Sequence, residues 1–78
     1  MYEYLQGEIK ELNPTYLVLE ISGIGYFIHI SVNTYAKLNE KKNCMVYIHQ
    51  VIREDAHLLF GFADKIEREM FLQLISVS

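Results

Sequence analysis

Tyr16-Leu17-Val18-Leu19-Glu20-Ile21-Ser22-Gly23-Ile24-Gly25-Tyr26-Phe27-Ile28-His29-Ile30 carries the pattern on which the fold turns. Apolar residues recur at every second position, the period at which strand side chains point to one face. Leu17, Leu19 and Ile21 share a face of the first half, with Glu20 on the other. Ser22-Gly23-Ile24-Gly25 breaks the run, and alternation resumes with Tyr26, Ile28 and Ile30 on one side. Two alternating runs around a glycine-bearing turn read as antiparallel strands.

Toward the N-terminus, Leu5 and Ile9 share one parity, and Tyr2 and Tyr4 take the other. Gly7 interrupts this segment, as glycine does at a bulge or a sharp barrel bend. Asn13-Pro14 is a turn signal, so three strands follow one another as a meander. Toward the C-terminus the rhythm changes. Asn33 is a candidate N-cap, and Tyr35 and Leu38 have helical spacing, which predicts a short helix over 33–38. The polar stretch 39–43 is a loop. Cys44 to Ile52 is a long strand, with Cys44, Val46, Ile48 and Ile52 of one parity, and Arg53-Glu54-Asp55 is a charged turn. His57 to Phe62 is a fifth strand, with Leu58, Phe60 and Phe62 expected inward.

Asp64 then opens a second helix, and Asp64 with Glu67 has the spacing of a capping box. Ile66, Met70, Phe71, Leu74 and Ile75 form an apolar stripe along it. Nothing obvious in the sequence covers that stripe, so the chain reads as part of a longer protein. The fold class expected is mainly β: a five-stranded OB-fold barrel with a short helix between strands 3 and 4, followed by a C-terminal α-helix. An SH3-like barrel also has five short strands, but the helical insert before strand four favours the OB reading.

Length and composition fit one small domain. Of 78 residues, 51% are hydrophobic, including six Tyr and four Phe. Cys44 is the single cysteine, so neither an internal disulfide nor a thiolate zinc finger can be written, and stability must come from a dense core or self-association. A lone thiol suits a reducing compartment. With no signal-like start in Met1-Tyr2-Glu3-Tyr4 and no apolar run of about 18 residues, the expected location is cytoplasmic, with no membrane partner. The net charge of −3 argues against non-specific attraction to phosphates, which needs clustered Lys and Arg.

Few residues carry chemistry. His29, His49 and His57 stand singly in strands, with no Cys or acidic residue at ligand spacing, so no metal site is expected. Cys44 sits in an apolar strand where thiols are usually inert, and no Gly-x-Ser-x-Gly elbow occurs, so no catalytic residue and no cofactor are expected. Gly23-Ile24-Gly25 precedes a strand and not a helix, so it reads as a hairpin turn and not as a phosphate loop. Tyr2, Tyr4, Phe27 and Tyr47 could stack bases. The simpler reading is that they cover the barrel's outer face or a subunit contact, and the scarcity of interleaved positive charge favours it. Glu54 and Asp55 at a hairpin tip repel each other and any nearby phosphate, although from composition alone the turn reads as merely solvated.

Val51-Ile52-Arg53-Glu54-Asp55-Ala56-His57-Leu58-Leu59-Phe60-Gly61-Phe62 resembles the signature of the RuvA family, the junction-binding subunits of the bacterial Holliday junction branch-migration machine. Gly7, the Gly23-Ile24-Gly25-Tyr26 turn and the Glu67-Arg68, Phe71, Leu74-Ile75 helix match in order along the whole chain. The resemblance implies an OB barrel over 1–63 and, over 64–78, the first helix of a helix-hairpin-helix domain that grips the DNA backbone. It implies an acidic pin at Glu54 and Asp55 near the junction centre, with Arg53 as a flanking, DNA-proximal basic residue. It implies a homotetramer on four-way junction DNA, acting in recombination, repair and the SOS response. A RuvB-type ATPase would supply the motor through a further domain, and a RuvC-type resolvase is a candidate partner. The chain departs from the family in its first strand, where members can carry basic residues and this sequence has Tyr4 and Gln6. The alternative expectation is a stand-alone OB module that binds single-stranded nucleic acid or serves assembly.

Overall fold

The computed structural model describes residues 2–76. In chain order these form β1 (Tyr4–Leu12), β2 (Tyr16–Ile21), β3 (Ile24–Ile30), α1 (Val32–Leu38), β4 (Asn43–Ile52), β5 (His57–Phe62) and α2 (Lys65–Ser76). Ser22 and Gly23 take φ of 52° and 83°, the left-handed pair that a two-residue hairpin turn needs to match strand twist. Asn13 holds the preceding turn, its Oδ1 accepting from the amides of Thr15 and Tyr16 and from the Thr15 hydroxyl.

The strands close into a barrel in the order β1-β2-β3-β5-β4, with β3 and β5 parallel and every other pair antiparallel. This is the five-stranded OB arrangement with its helix between strands three and four. β1 closes it by serving two partners: Tyr4–Glu8 pairs with β4, and Glu8–Leu12 pairs with β2. The register slips between Ile9 and Glu11, so the bulge lies there and not at Gly7. Gly7 serves the bend differently, because a Cβ there would run into the Glu20 carbonyl and the Ile21 side chain.

Leu5, Leu17, Leu19, Ile28, Val46 and Ile48 fill the interior, as the alternation on β1 to β4 predicts, and Leu38 of α1 joins them. Ile52 departs from that pattern. It is 71% exposed, because β4 runs on past the end of the barrel. β5 also reverses the expected facing. Gly61 pairs with the inward Ile48, which turns Leu58, Phe60 and Phe62 outward. The sequence pattern misleads here because the inward position has no side chain: a Cβ on Gly61 would lie 2.6 Å from Ile28 Cγ2. Phe62 is buried nonetheless, under Phe71 of α2 at 5.1 Å between ring centroids.

Both helix starts differ in detail from expectation. α1 begins one residue earlier, and Ser31, not Asn33, caps it by accepting from the Thr34 amide. Asp64 caps α2 through the Glu67 amide at 2.8 Å. The reciprocal half of the box is replaced, since the Glu67 carboxylate instead accepts from the Thr34 hydroxyl at 2.8 Å and the Ser31 hydroxyl at 3.0 Å. α2 lies against the outer face of the barrel on Arg68 and Phe71, and Phe71 is the one member of its apolar stripe that packs there. Ile66, Met70, Leu74 and Ile75 are all exposed.

Candidate nucleic-acid interface

The β4–β5 hairpin is the element that projects. Its last ladder pairs are Val51–Leu58 and Ile52–His57, and the Arg53 amide donates to the Ala56 carbonyl at 2.8 Å to close the turn. Glu54 and Asp55 are therefore the two apical residues, and both are exposed, as is Arg53. Two carboxylates on adjacent positions of a tight turn have no room to separate, so their field adds beyond the tip.

The rest of the charge contrasts with that tip. Glu8 and Glu20 flank Lys10 at 3.4 and 3.7 Å, and Asp64 meets Lys37 at 2.7 Å. Glu3 and Glu69 lie 3.0 and 3.2 Å from Arg68. These partners raise the affinity of Lys10 and Lys37 for their protons, chiefly through the Glu20 charge and the Asp64 hydrogen bond respectively. Among the described residues, neither Glu54 nor Asp55 has such a partner. The acidic tip is thus uncompensated, whereas Glu3, Glu8, Glu20, Asp64 and Glu69 are each neutralised by a neighbouring cation.

The four candidate stacking aromatics separate into two groups. Tyr4 and Tyr47 meet edge to face at 6.4 Å, and Arg68 lies over the Tyr47 ring at 5.5 Å, so this pair belongs to the α2 contact. Tyr2 and Phe27 instead border a cavity beside β5. His29 and His49 pack against Phe60, and His57 lies 3.1 Å from the Gln50 amide nitrogen. Among the described residues no group of His, Cys, Asp or Glu could hold a metal ion. Burial pushes the Cys44 thiol up to about 11, which disfavours the nucleophilic thiolate near neutrality. No described helix is long and apolar enough to cross a membrane.

Sequence reasoning missed Thr34 and Arg68. Thr34 is fully buried and joins α1, α2 and the Ala63 amide. Arg68 is 7% exposed and ties α2 to Glu3 and β4. For Thr34, helical spacing four residues before Leu38 was an available signal. For Arg68 the signal was its place in the matching Glu67-Arg68 helix, but its burial was not legible, since that depends on where tertiary packing supplies carbonyls.

A closed OB barrel with an exposed acidic hairpin between its fourth and fifth strands defines the class structurally. Residues 1–61 match the family model described as the RuvA N terminal domain. The chain is 62% identical over 78 residues to a protein of Parabacteroides distasonis and 56% identical over 78 residues to one of Bacteroides thetaiotaomicron. It is 49% identical over 79 residues to one of Streptococcus pneumoniae. All three are named Holliday junction branch migration complex subunit RuvA, and each alignment covers 100% of this chain. The chain belongs to the RuvA family, through that family's N-terminal domain. It spans about 40% of the length of these curated relatives.

Proposed function

We propose that this chain is the barrel and acidic pin of a cytoplasmic Holliday junction-binding subunit, which acts in recombination and repair without being the motor. The observation that carries this reading is the pair of unpartnered carboxylates, Glu54 and Asp55, at the apex of a hairpin that overruns the barrel. A carboxylate 4 Å from a phosphate costs about 1 kcal/mol in water and about 4 at an effective dielectric of 20. Four such pins, one from each subunit of a homotetramer, would ring the crossover and hold its phosphates apart. Arg53 at the base of the turn would stay close to DNA and limit how far the backbone is pushed away. Strand separation then needs no chemistry here, and translocation energy would come from a RuvB-type ATPase. A RuvC-type resolvase would act on the same open junction.

Grip must come from elsewhere, because the barrel has few uncommitted cations. α2 supports that division of labour: Ile66, Met70, Leu74 and Ile75 form an exposed stripe such as a helix shows when it opens a further domain. On this reading 1–63 is the barrel, and 64–78 begins a helix-hairpin-helix unit. The stand-alone single-strand or assembly module is not favoured, since the relatives that match the whole chain are branch-migration subunits.

The test is to make Glu54→Gln together with Asp55→Asn in the full-length protein. Junction affinity should rise about fivefold or more, from removal of one or two water-screened repulsions per subunit. Branch migration with the ATPase should change as well. Unaltered affinity and unaltered migration would remove the pin assignment.

A further inference from the structure

The seam between β3 and β5 is paired only at His29–Phe60 and Ile30–Gly61. N-terminal to those pairs, a pocket of about 280 Å³ lies between Gly25–Phe27 of β3 and the start of β5. Tyr2 and Tyr26, edge to face at 6.2 Å, line one part of it. Phe27 lines another and is itself stacked on Tyr16 at 4.7 Å. The polar lining is Gln50 and His57, whose side chains approach to 3.1 Å and so hold each other in place. Tyr2 and Phe27 are 41% and 51% exposed, so the rings are reachable from solvent.

We propose that this pocket receives a single unpaired nucleobase of DNA. The composition fits: aromatic rings offer stacking faces to any base, while an amide and an imidazole offer donors and acceptors to a base edge. The size fits one ring system, since it falls just below the roughly 300–1,000 Å³ of sites for larger ligands. The position fits as well. His57 closes the last ladder pair before the turn, two residues from Asp55, so the pocket opens at the root of the acidic hairpin. Carboxylates at the apex keep the phosphates outward, and a base freed there meets its aromatic acceptor within a few residues' length. None of the pocket side chains is cationic, so it would capture the base and leave the backbone to other parts of the protein.

This inference rests on the pin reading, and the experiment separates the two. Four-way junctions carrying 5-iodouracil at the crossover, either paired or as one extra unpaired nucleotide, are bound to the full-length protein, irradiated and mapped by mass spectrometry. Crosslinks from the unpaired base to Tyr2, Tyr26, Phe27 or His57 are expected. So is a preference of about tenfold for the junction with the unpaired base, which the Tyr2→Leu/Phe27→Leu protein loses while it still binds the paired junction. Junction binding with crosslinks confined to other segments, or the same preference in the double variant, overturns the pocket alone. Failure to bind either junction overturns the pin reading and this inference with it. Protection of Tyr2 and Phe27 from hydroxyl-radical labelling in the DNA-free protein, unchanged by junction, would assign the pocket to a protein contact instead.

Discussion

The Arg68 guanidinium lies 3.0 Å from the Glu3 carboxylate and 3.1 Å from the Glu3 carbonyl, which fastens the helix after the barrel to the residue before its first strand. The same group reaches the Ile48 carbonyl at 3.4 Å. One side chain thus joins the N-terminal segment, β4 and α2, and fixes where α2 departs from the barrel. In the full-length protein that departure would set the position of whatever follows relative to the acidic hairpin.

Arg68→Met should therefore destabilise the fold by about 2–3 kcal/mol, since it removes the donors to two carbonyls and the cation over the Tyr47 ring. Arg68→Lys should cost less, about 1–2 kcal/mol, because it keeps the charge but loses the planar fork. Urea midpoints of the two variants check the order. Equal stability of Met variant and wild type would show that the arginine is tolerated and not needed.

Acid should loosen the same junction. The Arg68 hydrogen bond holds the Glu3 carboxyl below its ordinary value of 4.5, and the Lys37 hydrogen bond holds Asp64 below 3.8. A carboxyl depressed in the fold contributes stability that is fully present above its unfolded value and lost as pH falls through the folded one. Thermal melts should thus fall as pH drops below about 4.5, and Glu3→Gln with Asp64→Asn should flatten that limb. An identical acid slope in the double variant would assign the loss to other carboxylates.

Thr34 tests the second tie between helix and barrel. Its hydroxyl donates to Glu67 at 2.8 Å and accepts from the Ala63 amide at 3.3 Å. Thr34→Val keeps the shape and removes both bonds, at about 1–3 kcal/mol. Thr34→Ser keeps the hydroxyl and should cost less, about 1 kcal/mol for a lost methyl. Hydrogen exchange at the Ala63 amide should speed up in the Val variant and not in the Ser variant.

Period-two alternation made the meander, the barrel and the acidic hairpin legible, because Leu17, Leu19, Ile28, Val46 and Ile48 each fill an inward position. It failed on β5, where the inward place belongs to Gly61 and two large rings lie outside. A pattern of hydrophobicity cannot distinguish a side chain buried in the barrel from one buried under a helix. On α2 the stripe was legible and so was its want of a cover, for Ile66, Met70 and Leu74 are exposed. Helical periodicity reports that a face needs a cover, not which neighbour supplies it. The acidic turn could be placed at an apex because Arg53, Glu54 and Asp55 interrupt two strong strands. The Tyr2–Phe27 pocket could not be seen, since it depends on how far β3 and β5 pair.

Gly61 gives a direct test of that facing. Gly61→Ala puts a methyl 2.6 Å from Ile28 Cγ2 and 3.5 Å from Val46, and should cost about 1–3 kcal/mol of overpacking. Gly25→Ala meets only Val18 Cγ1 at 3.6 Å, an ordinary contact, and should stay within about 0.5 kcal/mol of wild type. Denaturant midpoints that rank the two variants the other way would place Gly61 on the outer face.

The pin reading requires an effect of position and not of total charge. Glu54→Gln/Asp55→Asn and Glu8→Gln/Glu20→Gln each remove two negative charges. The second pair is taken from the neighbours of Lys10, where the carboxylates are already compensated. If repulsion at the crossover is what the hairpin supplies, the apical pair should tighten full-length protein on a four-way junction about fivefold or more at about 0.1 M salt. The Lys10 pair should shift it less, by no more than about twofold, because long-range fields between exposed charges are screened beyond about 10 Å at 0.1 M salt. The difference between the two variants should shrink as salt rises. Equal tightening by both would mean that the subunit responds only to net charge, and the apex of the hairpin would then have no separate role in opening the junction.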